Sequence, residues 1–164
     1  MKTKLSTIIT TVILFFLTAA ASAQTNFSGT WKRNNEKTDA GGLSINSVVS
    51  TMQITQDSNT LTIKGTNKNS NGEELSSYTD VLKLDGTPSE RITNANQKKQ
   101  MSVKWSVDKK QLTQSSIYKD EQRNVVQTVK LTFNLSEDGK MLRVLDERNF
   151  DEKSFQLQDV FDKQ

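Results

Sequence analysis

From residue 51 onward, apolar and polar positions alternate with a period of two. Met52 and Ile54 sit between Thr51, Gln53 and Thr55, and Leu61 and Ile63 between Thr60, Thr62 and Lys64. Leu82 and Leu84 share a parity with Tyr78 and Asp80. Met101, Val103, Trp105 and Val107 alternate with Ser102, Lys104 and Ser106. Val125, Val129, Leu131, Phe133 and Leu135 alternate with Lys130, Thr132 and Asn134. Leu142 and Val144 share a parity with Asp146, Arg148 and Phe150, and Phe155, Leu157 and Phe161 close the chain. Successive strand side chains point to opposite faces, so each run predicts a strand with one buried face.

Short polar turns separate the runs: Asp57-Ser58-Asn59, Asn69-Ser70-Asn71-Gly72, Asp85-Gly86-Thr87-Pro88, Asp108-Lys109-Lys110, residues 120–124, and Ser136-Glu137-Asp138-Gly139-Lys140. Asn, Asp and Gly accept the backbone angles of tight turns. None of these turns is long enough for the crossover a parallel sheet requires. The pattern predicts an all-β chain of about eight to ten antiparallel strands joined hairpin to hairpin. A sheet that long, apolar on one face, closes on itself and loses its edges. An up-and-down barrel is therefore the expected fold, with a two-sheet sandwich as the alternative. A membrane barrel is disfavoured, because the polar parity carries Lys64, Lys104 and Lys130 where lipid requires apolar side chains. Residues 34–47, with Gly41-Gly42, read as a loop with room for a short helical turn.

The first residues carry a different signal. Lys2 and Lys4 precede an apolar run over residues 8–17, followed by small residues ending in Ala21-Ser22-Ala23. A basic start, a short apolar middle and an A-x-A end describe a secretory leader cut after Ala23. The apolar run is about half of the ~20 residues a membrane-spanning helix needs. Residues 24–164 then form one domain, exported to the periplasm or the medium, with no membrane span after cleavage.

Removing Lys2 and Lys4 with the leader lowers the net charge from +3 to +1. So balanced a chain has no electrostatic reason to hold nucleic acid. The basic pairs Lys98-Lys99 and Lys109-Lys110 read as solvated lysines at strand edges or turns. Cysteine and histidine are both absent. No disulfide can staple the exported fold, no Cys/His zinc site can form, and Ser-His-Asp and Cys-His catalysis are excluded. The acidic pairs Glu73-Glu74, Asp146-Glu147 and Asp151-Glu152 are strand or loop neighbours whose side chains diverge, so none forms a glycosidase pair. The chain reads as a non-enzyme with no cofactor and no metal, and as a monomer.

At Phe27-Ser28-Gly29-Thr30-Trp31-Lys32 the chain resembles the opening strand of the calycin superfamily. That group includes the lipocalins, with their G-x-W signature, the fatty-acid-binding proteins, and exported lipocalin-like proteins of bacteria. The resemblance implies an up-and-down barrel that binds a small apolar molecule inside. It implies that Phe27, Gly29 and Trp31 share one strand face, with Trp31 plugging one end. It also implies a basic residue packed across Trp31, for which Arg148 is the candidate and Arg143 the alternative. The C-terminus departs from the fatty-acid-binding pattern. Asp159 and Phe161 stand where an arginine and a tyrosine would hold a ligand carboxylate.

The inward parity mixes apolar residues with Ser50, Tyr78, Asp80, Gln127, Asp146 and Arg148. Two readings stand side by side: a wet pocket for a small hydrophobic or amphipathic molecule, or a packed interior in a structural or interaction protein of the cell envelope. The ligand-contact candidates are Met52, Ile54, Tyr78, Met101, Trp105, Tyr118 and Phe133. The two tyrosines offer ring area and a hydroxyl together. For the second reading, the loops to suspect are residues 34–47 and 64–75.

Overall fold

A computed structural model describes residues 23–42, 49–69 and 71–164. The segment read as a leader, apart from Ala23, and residues 43–47 of the first loop lie outside the described residues. Ten strands follow one another: β1 (Gly29–Arg33), β2 (Thr51–Gln56), β3 (Thr60–Lys68), β4 (Glu74–Lys83), β5 (Ser89–Ile92), β6 (Lys98–Trp105), β7 (Gln111–Lys119), β8 (Val125–Leu135), β9 (Met141–Phe150) and β10 (Lys153–Lys163). All lie in one antiparallel sheet of order β4-β3-β2-β1-β10-β9-β8-β7-β6-β5. Pairing of β1 with β10, through Trp31 opposite Lys163 and Arg33 opposite Phe161, rolls that sheet into a nearly closed barrel. The sandwich alternative is thereby set aside. No helix among the described residues is long and apolar enough to cross a membrane.

The turns form as their side chains dictate. Asp57 Oδ1 accepts from the amides of Asn59 and Thr60, both at 2.7 Å. Asp85 accepts from the Thr87 amide, Asp108 from the Ser106 hydroxyl and the Lys110 amide, and Asp138 from the Ser136 hydroxyl and the Lys140 amide. These hydrogen bonds favour the charged form and hold all four carboxyls below the usual range. Val107, which extends the β6 pattern in sequence, falls inside such a turn and is exposed.

The two ends of the barrel differ. At one end Phe27 and Trp31 are fully buried. Phe27 stacks on Trp105 with ring centroids 5.9 Å apart and tilts against Phe133 at 6.1 Å. The Trp31 indole N–H donates to the Phe27 carbonyl at 3.0 Å, so the ring is buried with its polar atom satisfied. Gln56 ties the entering segment in place: its side chain accepts from the Phe27 amide and donates to the Thr25 carbonyl. Leu61, Leu82, Leu112 and Leu142 complete this packed end. The opposite end is ringed by the turns between β3 and β4, β5 and β6, β7 and β8, and β9 and β10.

The cation over Trp31 is Lys163, not Arg148 or Arg143. Its Nζ lies 5.3 Å from the ring centroid. The register makes Lys163 the direct cross-strand partner of Trp31, whereas Arg148 pairs with Phe155 several residues away. Arg143 is exposed. Gly29, at φ 152°, leaves room for the lysine stem; a Cβ there would approach Lys163 Cε to 2.9 Å.

The first loop is less free than its sequence suggests. Thr38 N–H donates to the Asn34 carbonyl at 3.0 Å, a single helical turn. Asn34 and Asp39 then donate to the carbonyls of Val160 and Gln158, so the segment continues along the β10 flank where β1 stops. Residues 64–75 are likewise mostly strand, because β3 runs to Lys68 and β4 begins at Glu74.

One closure is missing from the sheet. Strands β4 and β5 are joined by the Asp85-Gly86 turn but do not form a ladder with each other. Side chains span this seam instead. Asp80 of β4, buried at 2 % exposure, meets Arg91 of β5 through Oδ1 and Lys99 of β6 through Oδ2, each at 2.5 Å.

Candidate functional site

Between the packed end and the open end lies a cavity of about 230 Å³. Its apolar wall includes Met52, Ile63, Val129, Leu131, Phe133 and Phe161. Its polar wall is built by cross-strand register. Gln127, Tyr118, Lys99 and Arg91 face one another in turn across β8, β7, β6 and β5. Asp80 and Tyr78 of β4 stand across the seam from that row. Lys99 Nζ lies 5.6 Å from the Tyr78 ring centroid and 5.3 Å from that of Tyr118, and the Arg91 guanidinium lies 5.5 Å from Tyr78. The two cations are therefore held by one carboxylate and two aromatic faces.

Gly65 makes this arrangement possible. It pairs with Tyr78, and a Cβ at that position would fall within the tyrosine ring's own envelope. The missing side chain lets the ring lie flat over β3. Burial, with Asp80 and Tyr118 nearby, raises the Tyr78 phenol well above its ordinary range, so it stays a neutral hydroxyl. Gly65→Ala is expected to displace Tyr78 into the cavity and to weaken binding of any molecule held there. Comparing near-ultraviolet circular dichroism and ligand affinity with the parent chain checks this.

A second ion pair occupies the β9 side. Arg148 Nε bridges both oxygens of Asp146 at 2.9 and 3.0 Å, and Nη2 reaches Oδ2 at 2.5 Å. Burial opposes the arginine charge, but the carboxylate more than restores it, and the guanidinium pKa is raised. Asp146 and Glu147 diverge as strand neighbours must: Glu147 faces out to Lys130 at 2.8 Å.

Three acceptor atoms on the cavity wall are buried without a hydrogen-bond partner: Asn67 Oδ1, Gln114 Oε1 and Asp159 Oδ1. Gln114 is fully buried and uses its amide N–H on Ser116 at 3.1 Å. Asp159 is 5 % exposed, and none of the described ion pairs includes it. Burial, reinforced by Asp146, pushes its carboxyl up to about 7; Arg148 and Arg33 only partly oppose this.

That shift sets a pH dependence. A carboxyl raised in the folded chain keeps its proton after the unfolded chain has lost it, so stability falls as pH rises from about 4 to about 7 and is level above. Asp159→Asn is expected to remove this slope and to stabilise the chain at pH 8, on the order of a few kcal/mol at most. Urea denaturation of both chains at pH 5 and pH 8 reads the difference directly. With no histidine present, no imidazole competes in that window.

Of the sequence-derived contact residues, Met52, Tyr78, Tyr118 and Phe133 lie on the cavity wall. Ile54 and Met101 are buried in the hydrophobic core, and Trp105 packs against it at the closed end. Arg148 faces the cavity rather than Trp31. Asp80, Gln127 and Asp146 also reach the wall, whereas Ser50 backs β3 by accepting from the Lys68 amide. Lys99, expected in solvent, is buried at 5 % exposure. It shares the parity of Met101, Val103 and Trp105, which was the available signal. Arg91 sits on a four-residue strand too short to show a period. Gln114 and Ser116 were hidden because the inward face of β7 is itself polar.

No protein-family model matches this chain, and no curated protein sequence matches it. The structure itself defines a class: a nearly closed, ten-stranded, up-and-down antiparallel barrel enclosing a charged cavity, an architecture compatible with the calycin fold.

Proposed function

We propose that this chain is an exported lipocalin-like barrel that binds one small amphipathic molecule in its interior and performs no reaction on it. The observation that carries this reading is the cavity wall itself, where buried acceptor atoms stand unpartnered opposite an apolar face. A barrel filled only for stability pairs its buried polar groups or omits them. Two buried ion clusters also cost desolvation that a well-packed apolar core avoids. A wall of this kind is suited to orienting a ligand, with the apolar face supplying burial and a few polar groups supplying direction.

Size restricts the ligand. At about 230 Å³ the cavity lies below the ~300 Å³ at which pockets for drug-sized molecules begin. The ligand is thus a compact body rather than a long acyl chain. The basic, apolar and A-x-A pattern of residues 1–23 supports a location outside the cytoplasm, where such a carrier would meet small solutes directly.

Native mass spectrometry of protein purified without denaturation, before and after organic extraction, tests the reading. The expected result is a single low-mass adduct that extraction removes and that Tyr118→Ala weakens. A chain that carries no adduct and takes up none of a panel of small aromatic and aliphatic solutes is a packed barrel, and the reading fails.

A further inference from the structure

We propose that the molecule held in this cavity is a small organic anion, a carboxylate on a short apolar body, and that Lys99, Arg91 and the Tyr118 hydroxyl bind it. This rests on the reading of the cavity as a binding site. Arg91 and Lys99 share a single carboxylate, Asp80, so the seam holds two positive charges against one negative. The other ion pair on the wall, Arg148 with Asp146, is one to one. A buried charge is costly unless it is paired. One further anion at the seam would complete the balance.

Hydrogen-bond donors are in surplus at the same place. Lys99 is 5 % exposed and gives one N–H to Asp80, and no described hydrogen bond takes the others its ammonium carries. Arg91 spends Nε on Asp80 and reaches the Ile92 carbonyl from Nη1 only at 3.5 Å. The Tyr78 and Tyr118 hydroxyls enter none of the described hydrogen bonds. Lys99 Nζ stands over both rings, so cations and hydroxyls flank one space. A carboxylate is acceptor-only and can take several of these donors at once. Its apolar body would lie against Val129, Leu131 and Phe133 of β8.

The rest of the wall does not reverse this sign. Asp159 on β10 interacts with Asp146, Arg148 and Arg33, and burial holds it toward its protonated form, so it adds little negative charge at the seam. Asn67 and Gln114 are amides that present an N–H as well as an oxygen, so their unpaired oxygens set no charge on the ligand. The seam also lies away from the β10 positions of Asp159 and Phe161, where a fatty-acid-binding barrel would hold a carboxylate.

The test compares three probes of one shape: benzoate, benzyl alcohol and benzylammonium, titrated calorimetrically into the mature protein at pH 6, where Asp159 keeps its proton. Benzoate is expected to bind about tenfold or more tightly than either of the others, the usual worth of hydrogen bonds to a charged group. Tyr118→Phe, which removes only a hydroxyl, should weaken benzoate about fivefold or more and leave benzyl alcohol nearly unchanged. Lys99→Met leaves Asp80 paired one to one with Arg91 and should abolish the preference for benzoate over benzyl alcohol. If benzyl alcohol or benzylammonium binds as well as benzoate, or if Tyr118→Phe leaves benzoate affinity unaffected, the anion assignment is overturned while the binding cavity stands. If none of the three binds, both fall.

Discussion

Replacing Asp80 with alanine is expected to destabilise the barrel by about 3–5 kcal/mol, the usual cost of removing one partner from a buried ion pair. The loss leaves Lys99 buried and without its carboxylate, and frees Arg91 at the same time. Here the consequence is also architectural. No backbone ladder joins β4 to β5, so Asp80 is the main polar link across the seam. Amide hydrogen exchange should accelerate first in β4 and β5 and hardly at all in β8 and β9. The triple replacement Asp80→Leu, Arg91→Leu, Lys99→Met should recover much of the loss, since apolar groups of similar volume often substitute for buried ion pairs. Recovery of stability without recovery of ligand affinity would separate the two roles of the cluster. If Asp80→Ala melts like the parent chain, the seam is held by something else.

Trp31→Ala carries an effect of similar size, about 3–5 kcal/mol for a fully buried large aromatic. The indole packs the closed end, and its N–H satisfies the Phe27 carbonyl; alanine leaves both a void and an unpaired acceptor. Lys163→Ala removes only the exposed cation over the ring and should cost about 0.5–1 kcal/mol. Guanidinium denaturation of the two variants is expected to show that contrast. Equal losses would mean that the lysine, not the plug, holds that end of the barrel.

The architecture was largely legible because strands buried on one face reveal themselves by period two. The runs around Met52, Leu61, Met101 and Phe133 needed only that rule, and Asp57, Asp85, Asp108 and Asp138 marked the hairpins between them. Trp31 was recognisable as a plug from its motif. Its cation was not, because contact across a barrel depends on which strand pairs with the first, and only register brings Lys163 opposite Trp31.

The site was less legible for a physical reason. A cavity that holds polar groups breaks the very alternation that identifies inward positions. Gln114 and Ser116 make β7 look polar throughout, and Lys99 looks like an edge lysine unless its parity with Met101 is followed upstream. The seam could not be read at all. Arg91 meets Asp80 because two strands adjacent in sequence fail to pair, and no local pattern encodes that failure. Asp159 was visible as a carboxylate in an unusual place, but the unpaired Oδ1 it presents is a property of the assembled wall.

The most direct test of the binding cavity is an NMR titration of isotopically labelled mature protein with benzyl alcohol and benzoate. The expected result is saturable shifts centred on Gln114, Ser116, Tyr118, Val129 and Tyr78, residues from three strands that only the barrel interior brings together. Shifts that rise linearly without saturating, or that gather on outward-facing residues such as Val81 and Ile117, would contradict it.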